Sequence, residues 1–172
     1  MIKALNYQEF VPYSKKIMLG ESKIHGIGII AKKDIKKGQI VFVIKGKVKH
    51  WEVNDKKTAL YGEHWIGVGK NTWIDPVGWG RYINHSSNPN CGIVGKVLVR
   101  AMRNMRKGEE VTIDYSTTEE QVLWHLEDAM TGGKVRSIQF LPHGKFKEYF
   151  PYIPKYFQRV YHRHHKIKNS HG

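Results

Sequence analysis

The chain predicts a mainly β fold of several small sheets, with a helical segment towards its C-terminus. Three observations lead there. Short runs rich in β-branched and aromatic residues dominate the first two thirds: Ile27 to Ala31, Ile40 to Ile44, Trp65 to Val68, Thr72 to Ile74, Val94 to Ala101 and Val111 to Tyr115. Glycines at 38, 46, 62, 67, 69, 78, 80, 92, 95 and 108 punctuate these runs and keep them short. The one strong helical signal comes late. With 172 residues, 40% of them hydrophobic, the chain can bury the core of a single domain.

Taken in order, the strand segments carry no repeat period and no Pro/Ser-rich linker divides them. A short helix fits Asn54 to Leu60. The late helix spans Thr118 to Met130: Thr117 or Thr118 can cap it, and Glu120 or Gln121 stands three residues on as box partner. Val122, Leu123, Leu126 and Met130 mark one face, and Gly132-Gly133 end it. From Lys155 to Gly172 the chain has five Lys/Arg, four His and no acid. That stretch reads as a solvated basic tail, anchored by Tyr156, Phe157 and Tyr161.

Charge and cysteine content narrow the function classes. Lys and Arg number 29 against 15 acids, a formal net charge of +14, which favours acidic partners such as nucleic acid or leaves the lysines as solubilising groups. Seven lysines fall between Lys32 and Lys49, with Asp34 the single acid, so this stretch is a candidate basic face. One cysteine, Cys91, excludes an intramolecular disulfide and a Cys-rich zinc cluster. No apolar run reaches the ~18 residues needed to cross a bilayer, and the first residues lack a signal-peptide core. The expectation is a soluble intracellular protein without membrane contact, cytoplasmic or, in a eukaryotic setting, nuclear. His162, His164 and His165 lack neighbouring acids or cysteines and read as part of the basic tail rather than a metal site.

Gly26-Ile27-Gly28-Ile29-Ile30-Ala31 matches the dinucleotide-binding G-x-G-x-x-A pattern. The glycines enter a β-like run instead of a helix, and lysines stand where the ribose-binding acid belongs, so that reading fails.

Two segments carry chemistry. Gly80-Arg81-Tyr82-Ile83-Asn84-His85-Ser86-Ser87-Asn88-Pro89-Asn90-Cys91 is dense in Asn, Ser and His, residues that fold as side-chain-bonded turns. Lys107-Gly108-Glu109-Glu110-Val111-Thr112-Ile113-Asp114-Tyr115 is a turn and a strand ending in tyrosine. Each alone has a plain reading, as an Asx-rich loop or a hairpin corner. Together with Ser22-Lys23-Ile24-His25-Gly26-Ile27-Gly28 and Asp34 to Val41, in this order, they resemble the SET-domain family of protein lysine methyltransferases. The resemblance covers roughly residues 15 to 120: an N-H-S-x-x-P-N motif and a G-E-E-x-x-x-D-Y motif.

The resemblance implies a β-clip of small sheets in which the Asn84 segment threads beneath the loop carrying Tyr115, a pseudoknot-like core. It implies S-adenosylmethionine as cofactor on one face and a substrate lysine entering through a narrow channel from the other. Tyr115 is then the catalytic residue, while Ile27, Gly28, Arg81, Tyr82, Asn84 and His85 line the cofactor pocket. The implied domains are an N-terminal extension (1–14), the SET catalytic domain (15–117), a lid (118–154) and the basic tail (155–172). The zinc-binding cysteines of many family members are absent: Ser87 stands at the fourth ligand position and no cysteine follows Tyr115. The expected lid is metal-free, with Trp124 and Phe140 as candidates to cover the adenine, or as core residues. The family's frequent E-Y-x-G stretch is here Val43-Ile44-Lys45-Gly46, and the residue two before the tyrosine is Ile113, so at Ile44 and Ile113 the implied substrate channel has lost aromatic bulk and gained room for di- or trimethylation, with Tyr61 a candidate to supply an aromatic wall. The implied partner is a histone-like or other basic protein on nucleic acid, which the basic face would contact. A degenerate binding module of the same fold, and transfer to a small molecule or non-lysine group, stay open as alternatives.

Overall fold

The computed structural model describes residues 10–50, 64–122 and 126–169. Its strands form three small sheets. In the first, β1 (Ile17–Glu21) and β2 (Ile27–Ala31) make an antiparallel hairpin, β10 (Glu110–Ile113) lies antiparallel along the other side of β2, and β7 (Asn84–His85) runs parallel to β10. The second has the order β3 (Ile40–Val43), β9 (Leu98–Ala101), β8 (Cys91–Val94), and the third β4 (Lys45–His50), β6 (Thr72–Val77), β5 (Ile66–Gly69). The predicted mainly β architecture of small sheets is the one observed. β2 is a strand from its first residue, so the dinucleotide pattern there is an accident of composition.

Ile17, Ile29, Val41, Phe42, Ile93, Val99, Val111 and Ile113 face inward from the first two sheets and share one core with Ile66 and Ile74 of the third. Val94 to Ala101, expected as one strand, is a hairpin: Val94 pairs with Leu98 across a turn at Gly95. β4 carries no apolar alternation, yet it pairs with β6 along six residues. Its lysines point to solvent at a sheet edge, where charge discourages pairing with another chain.

The C-terminal third departs from expectation. The helix predicted over Thr118 to Met130 does not form in the described residues. Tyr115–Thr117 is a single 3-10 turn, 118–122 is irregular, and 128–131 is a turn. The hydroxyls meant for capping bond backwards instead, Thr117 Oγ1 to the Asp114 carbonyl (2.7 Å) and Thr118 Oγ1 to that of Tyr115 (3.1 Å). Met130, on the supposed apolar face, is 66% exposed. Conversely, the solvated tail is a helix. α1 (His143–Tyr149) and α2 (Lys155–Asn169) pack together, with Phe157, Val160 and Tyr161 of α2 buried against Phe146, Tyr149, Ile138 and Leu141. The i, i+3, i+4 spacing of those three residues is a helical face, hidden in the sequence by the basic residues around it.

This C-terminal unit is pressed onto the sheets. At Gly67 of β5 any side chain would collide with the Thr118 carbonyl and the Phe157 ring, so only glycine lets the layers meet this closely. The predicted helix near Asn54 to Leu60 lies outside the described residues, as do Tyr61 and Trp124.

Candidate active site

The site begins with a knot of backbone. β7 lies beside β10 with Asn84 opposite Thr112 and His85 opposite Ile113. Ser86 N–H continues the pairing to the Ile113 carbonyl at 3.0 Å. Asn90 then bonds β10 with both ends of its carboxamide: Oδ1 accepts from Thr112 N (2.9 Å) and Nδ2 donates to the Glu110 carbonyl (2.6 Å). These are the bonds an Asn-rich segment can make and an apolar strand cannot.

The knot brings His85 and Tyr115 together, ring centroids 5.2 Å apart. His85 is buried, and Nδ1 accepts the Tyr115 amide N–H at 3.2 Å, so the ring proton belongs on Nε2. Burial lowers the proton affinity of this ring, and Asp114, with Oδ1 3.8 Å away, opposes the shift only in part. The imidazole is therefore neutral. The Tyr115 hydroxyl donates to the Ile83 carbonyl at 2.5 Å. Burial, reinforced by the Glu110 charge, raises the phenol well above its usual range, so the Tyr115 hydroxyl is neutral.

A cavity of about 30 Å³ lies beside that hydroxyl, lined by Trp65, Arg81, Ile83, Ile113, Tyr115 and Glu119 among others. Three of the residues singled out from the sequence, Arg81, Ile113 and Tyr115, meet here. Glu119 was not singled out. It sits only four residues past the tyrosine, in a stretch whose local pattern spells helix, and nothing local signals that its carboxyl is 6% exposed.

On the other side of the knot, Asn84 Nδ2 lies within hydrogen-bonding distance of Glu110 Oε1 (2.8 Å), Ser22 Oγ (3.1 Å) and the carbonyls of His25 (3.1 Å) and Ile27 (3.4 Å). Ser22 Oγ donates to the same Glu110 carboxylate. The carboxylate lies over Gly28, where a side chain would collide with it. Together these groups fasten the turn between β1 and β2 to the knot and leave Ile27, 49% exposed, at an open rim.

Ser87 is the node of a third cluster. Asp128 Oδ2 accepts from Ser87 N (2.5 Å) and Ser86 Oγ (3.2 Å), while Oδ1 accepts from Met130 N and Thr131 N at 2.7 and 3.1 Å. Lys145 Nζ and the Tyr149 hydroxyl of α1 both donate to the Ser87 carbonyl, at 2.5 and 3.2 Å. Against the opposing effect of burial, the bonds from Ser87, Met130 and Thr131 hold the Asp128 carboxyl well below the usual carboxylate range.

The other sequence candidates are dispersed. Ile44 is buried beneath Gly80, one layer behind the cavity, and does not line it. Tyr82 packs on Phe10, ring centroids 6.0 Å apart. Phe140 is 58% exposed, so it is not a core residue. Among the described residues no group of three or more His, Cys, Asp or Glu could hold a metal ion, and no helix is long and apolar enough to cross a membrane.

Known proteins match this chain where the knot lies. The SET-domain family profile matches residues 26–116, just over half the chain. Histone-lysine N-methyltransferase trithorax of Drosophila virilis is 32% identical over 118 residues, 60% of this chain and 3% of its own. Histone-lysine N-methyltransferase 2D of Homo sapiens is 32% identical over 60% of this chain and 2% of its own. The H3 lysine-4 specific histone-lysine N-methyltransferase of Schizosaccharomyces pombe is 30% identical over 132 residues, 67% of this chain and 14% of its own. The shared part is thus a small fraction of those relatives' length, and it contains the Asn84 segment, the β10 strand and Tyr115. By that match and by the knotted arrangement of its small sheets, the chain belongs to the SET-domain family.

Proposed function

We propose that the protein is an S-adenosylmethionine-dependent protein lysine N-methyltransferase. The observation that carries the reading is the Tyr115 hydroxyl, bonded to the Ile83 carbonyl at 2.5 Å and lining a cavity beside the N-H-S knot. A hydroxyl whose proton is already engaged meets a third group as an acceptor. Toward a lysine amine it can take an N–H and turn the nitrogen lone pair along the channel. Alignment of this kind supplies much of the acceleration in a displacement reaction.

The residues at the rim fit the cofactor. Glu110, Ser22 and Asn84 form a polar, acceptor-rich set suited to a cationic amino-acid end, and the half-exposed Ile27 of β2 lies beside it. The His85 Nε2 donor, buried and without a hydrogen-bond partner among the described residues, is a further unspent group in the knot. S-adenosylmethionine, when bound, supplies an electrophilic methyl group on a sulfonium sulfur. A lysine ammonium, with a free pKa of about 10.4, must shed a proton before it attacks; burial and the Arg81 charge at the cavity both favour the neutral amine.

Residues 118–154 form the lid in this reading, and the Ser87–Asp128–Lys145 cluster takes the place that a metal would have in fastening it. The substrate is a histone-like or other basic protein associated with nucleic acid. Relatives named as histone-lysine methyltransferases support this class. So do the exposed lysines 32, 33, 36, 37, 45 and 47, which suit nucleic acid better than a cationic tail.

Calorimetric titration with S-adenosylmethionine and S-adenosylhomocysteine, at two salt concentrations, tests the reading first. Saturable binding of both, followed by methyl transfer to core histones, is the expected result. Well-folded protein that binds neither would overturn it.

A further inference from the structure

The cavity beside Tyr115 contains a group that a purely aromatic lysine channel has no use for. Glu119 lines it, 6% exposed, in the company of Tyr115, Ile113, Arg81, Trp65 and His64. Its backbone is tied down, because the Glu119 carbonyl accepts from Ile138 N at 2.8 Å. Its carboxyl receives a hydrogen bond from the Trp73 side chain. A carboxylate offers about four acceptor positions, so among the described residues the indole donor leaves capacity for a further donor. A buried acid with little compensation is a stability cost that a visiting cation would offset.

We propose that Glu119 is a specificity-determining residue of the substrate channel, accepting N–H bonds from the lysine ammonium opposite Tyr115. The inference rests on the methyltransferase reading and names the group by which that site recognises its substrate. Two acceptors flanking one nitrogen set its position better than one, and the carboxylate supplies the charge that the neutral tyrosine lacks. Each methyl added to the nitrogen replaces an N–H donor, so the acid favours acceptors with N–H groups left. It thereby bounds the room created by Ile113: dimethyl-lysine gains least from Glu119 and unmethylated lysine most. Burial is the main cause holding the Glu119 carboxyl up at about 8, so the free site is mostly uncharged at neutral pH; it releases its proton to solvent when an ammonium enters, and the bound ammonium must in turn lose a proton before the amine attacks. Among the described residues, the other titratable or charged side chains lining this cavity are Arg81, His64 and Tyr115.

The test uses the full chain without cofactor, with n-butylammonium chloride as a stand-in for the lysine side chain and n-butanol as the uncharged control. The amine is expected to raise the melting temperature of the wild type, more at pH 8.5 than at pH 6, and butanol to leave it unchanged. Glu119→Gln, which keeps the shape and the Trp73 bond, is expected to lose the amine response. Glu119→Asp keeps the charge and should respond partially; it decides the matter if the Gln variant does not fold. An amine shift equal in wild type and variants, or absent from the wild type, would overturn the assignment. Methyl transfer to core histones, run in parallel, separates the two claims. Transfer without an amine response sinks Glu119 alone, and an amine response lost in Glu119→Gln supports Glu119 whatever the histone result. With active protein, the Gln variant should lose at least tenfold in kcat/KM on unmethylated lysine and markedly less on dimethyl-lysine.

Discussion

His85 and Glu119 are buried and Tyr115 half-buried, and desolvation moves each towards its neutral form. For Tyr115 the consequence is an orienting hydroxyl. Tyr115→Phe should reduce methyl transfer by on the order of a hundredfold or more. The loss of the bond to the Ile83 carbonyl should cost the fold about 1 kcal/mol, and S-adenosylhomocysteine affinity measured by calorimetry should be unchanged. For Glu119 the consequence is a stability slope. Its folded-state value, about 8, stands above the ordinary 4.5. Between those values the native chain holds a proton that the unfolded chain has released, and stability falls as pH rises through that window. Melting curves at pH 5 and pH 8.5 should show the wild type losing ground to Glu119→Gln as pH rises; parallel curves would contradict the burial. His85 acts the other way. Its lowered value means that stability falls as pH drops below about 6.5, where the unfolded chain takes up the proton first. Tyr115 and His85 were legible because they belong to contiguous motifs. Glu119 was not, since its neighbours Thr118 and Glu120 look like the first turn of a helix, and only the packing of Trp65 and Trp73 around it makes it unusual.

At the scale of elements, the two corrections have one cause. The Thr118 to Met130 segment has helical periodicity, but propensity and capping are worth about 1 kcal/mol or less per residue. Against that stand the burial of Glu119, the Asp128 bonds to the N-H-S loop and the short bond from the Tyr156 hydroxyl to Glu120. Tertiary contacts win. The turn closed by Asp128 N–H to the Gly133 carbonyl, 2.7 Å, uses the two glycines that looked like a helix stop. Asp128→Ala would leave the Ser87, Met130 and Thr131 amides without their acceptor, at a cost of about 2 kcal/mol or more. If the segment is the proposed lid, S-adenosylhomocysteine affinity should fall as well; a lower melting temperature with unchanged affinity would make the cluster purely structural. α2 is the converse case. Phe157 is buried where α2 meets Gly67 and Thr118, so Phe157→Ala should cost about 3–5 kcal/mol in denaturant unfolding. A solvated tail would tolerate the change.

For the whole molecule, the net charge is +14, and lysines 32, 33, 36, 37, 45 and 47 of the candidate basic face are exposed. If that face contacts phosphates, DNA affinity should fall steeply with salt, by roughly 0.9 in log K per log unit of salt for each neutralised phosphate. Titrations at 50 and 200 mM salt that give the same affinity would exclude it. The sequence by itself determined the family, the mainly β class, most of the strand segments and the Asn84–His85–Tyr115 centre. All of these are carried by short contiguous runs whose residue types the knot's own hydrogen bonds demand. Only the tertiary structure decided that Val94 to Ala101 folds back on itself, that residues 118–122 and 126–130 are not helical, that residues 155–169 are a helix, and that Glu119 lines the cavity beside Tyr115. Those outcomes depend on burial against residues distant in the chain, where a few kcal/mol of packing and hydrogen bonding outweigh the weak local preferences that a sequence displays.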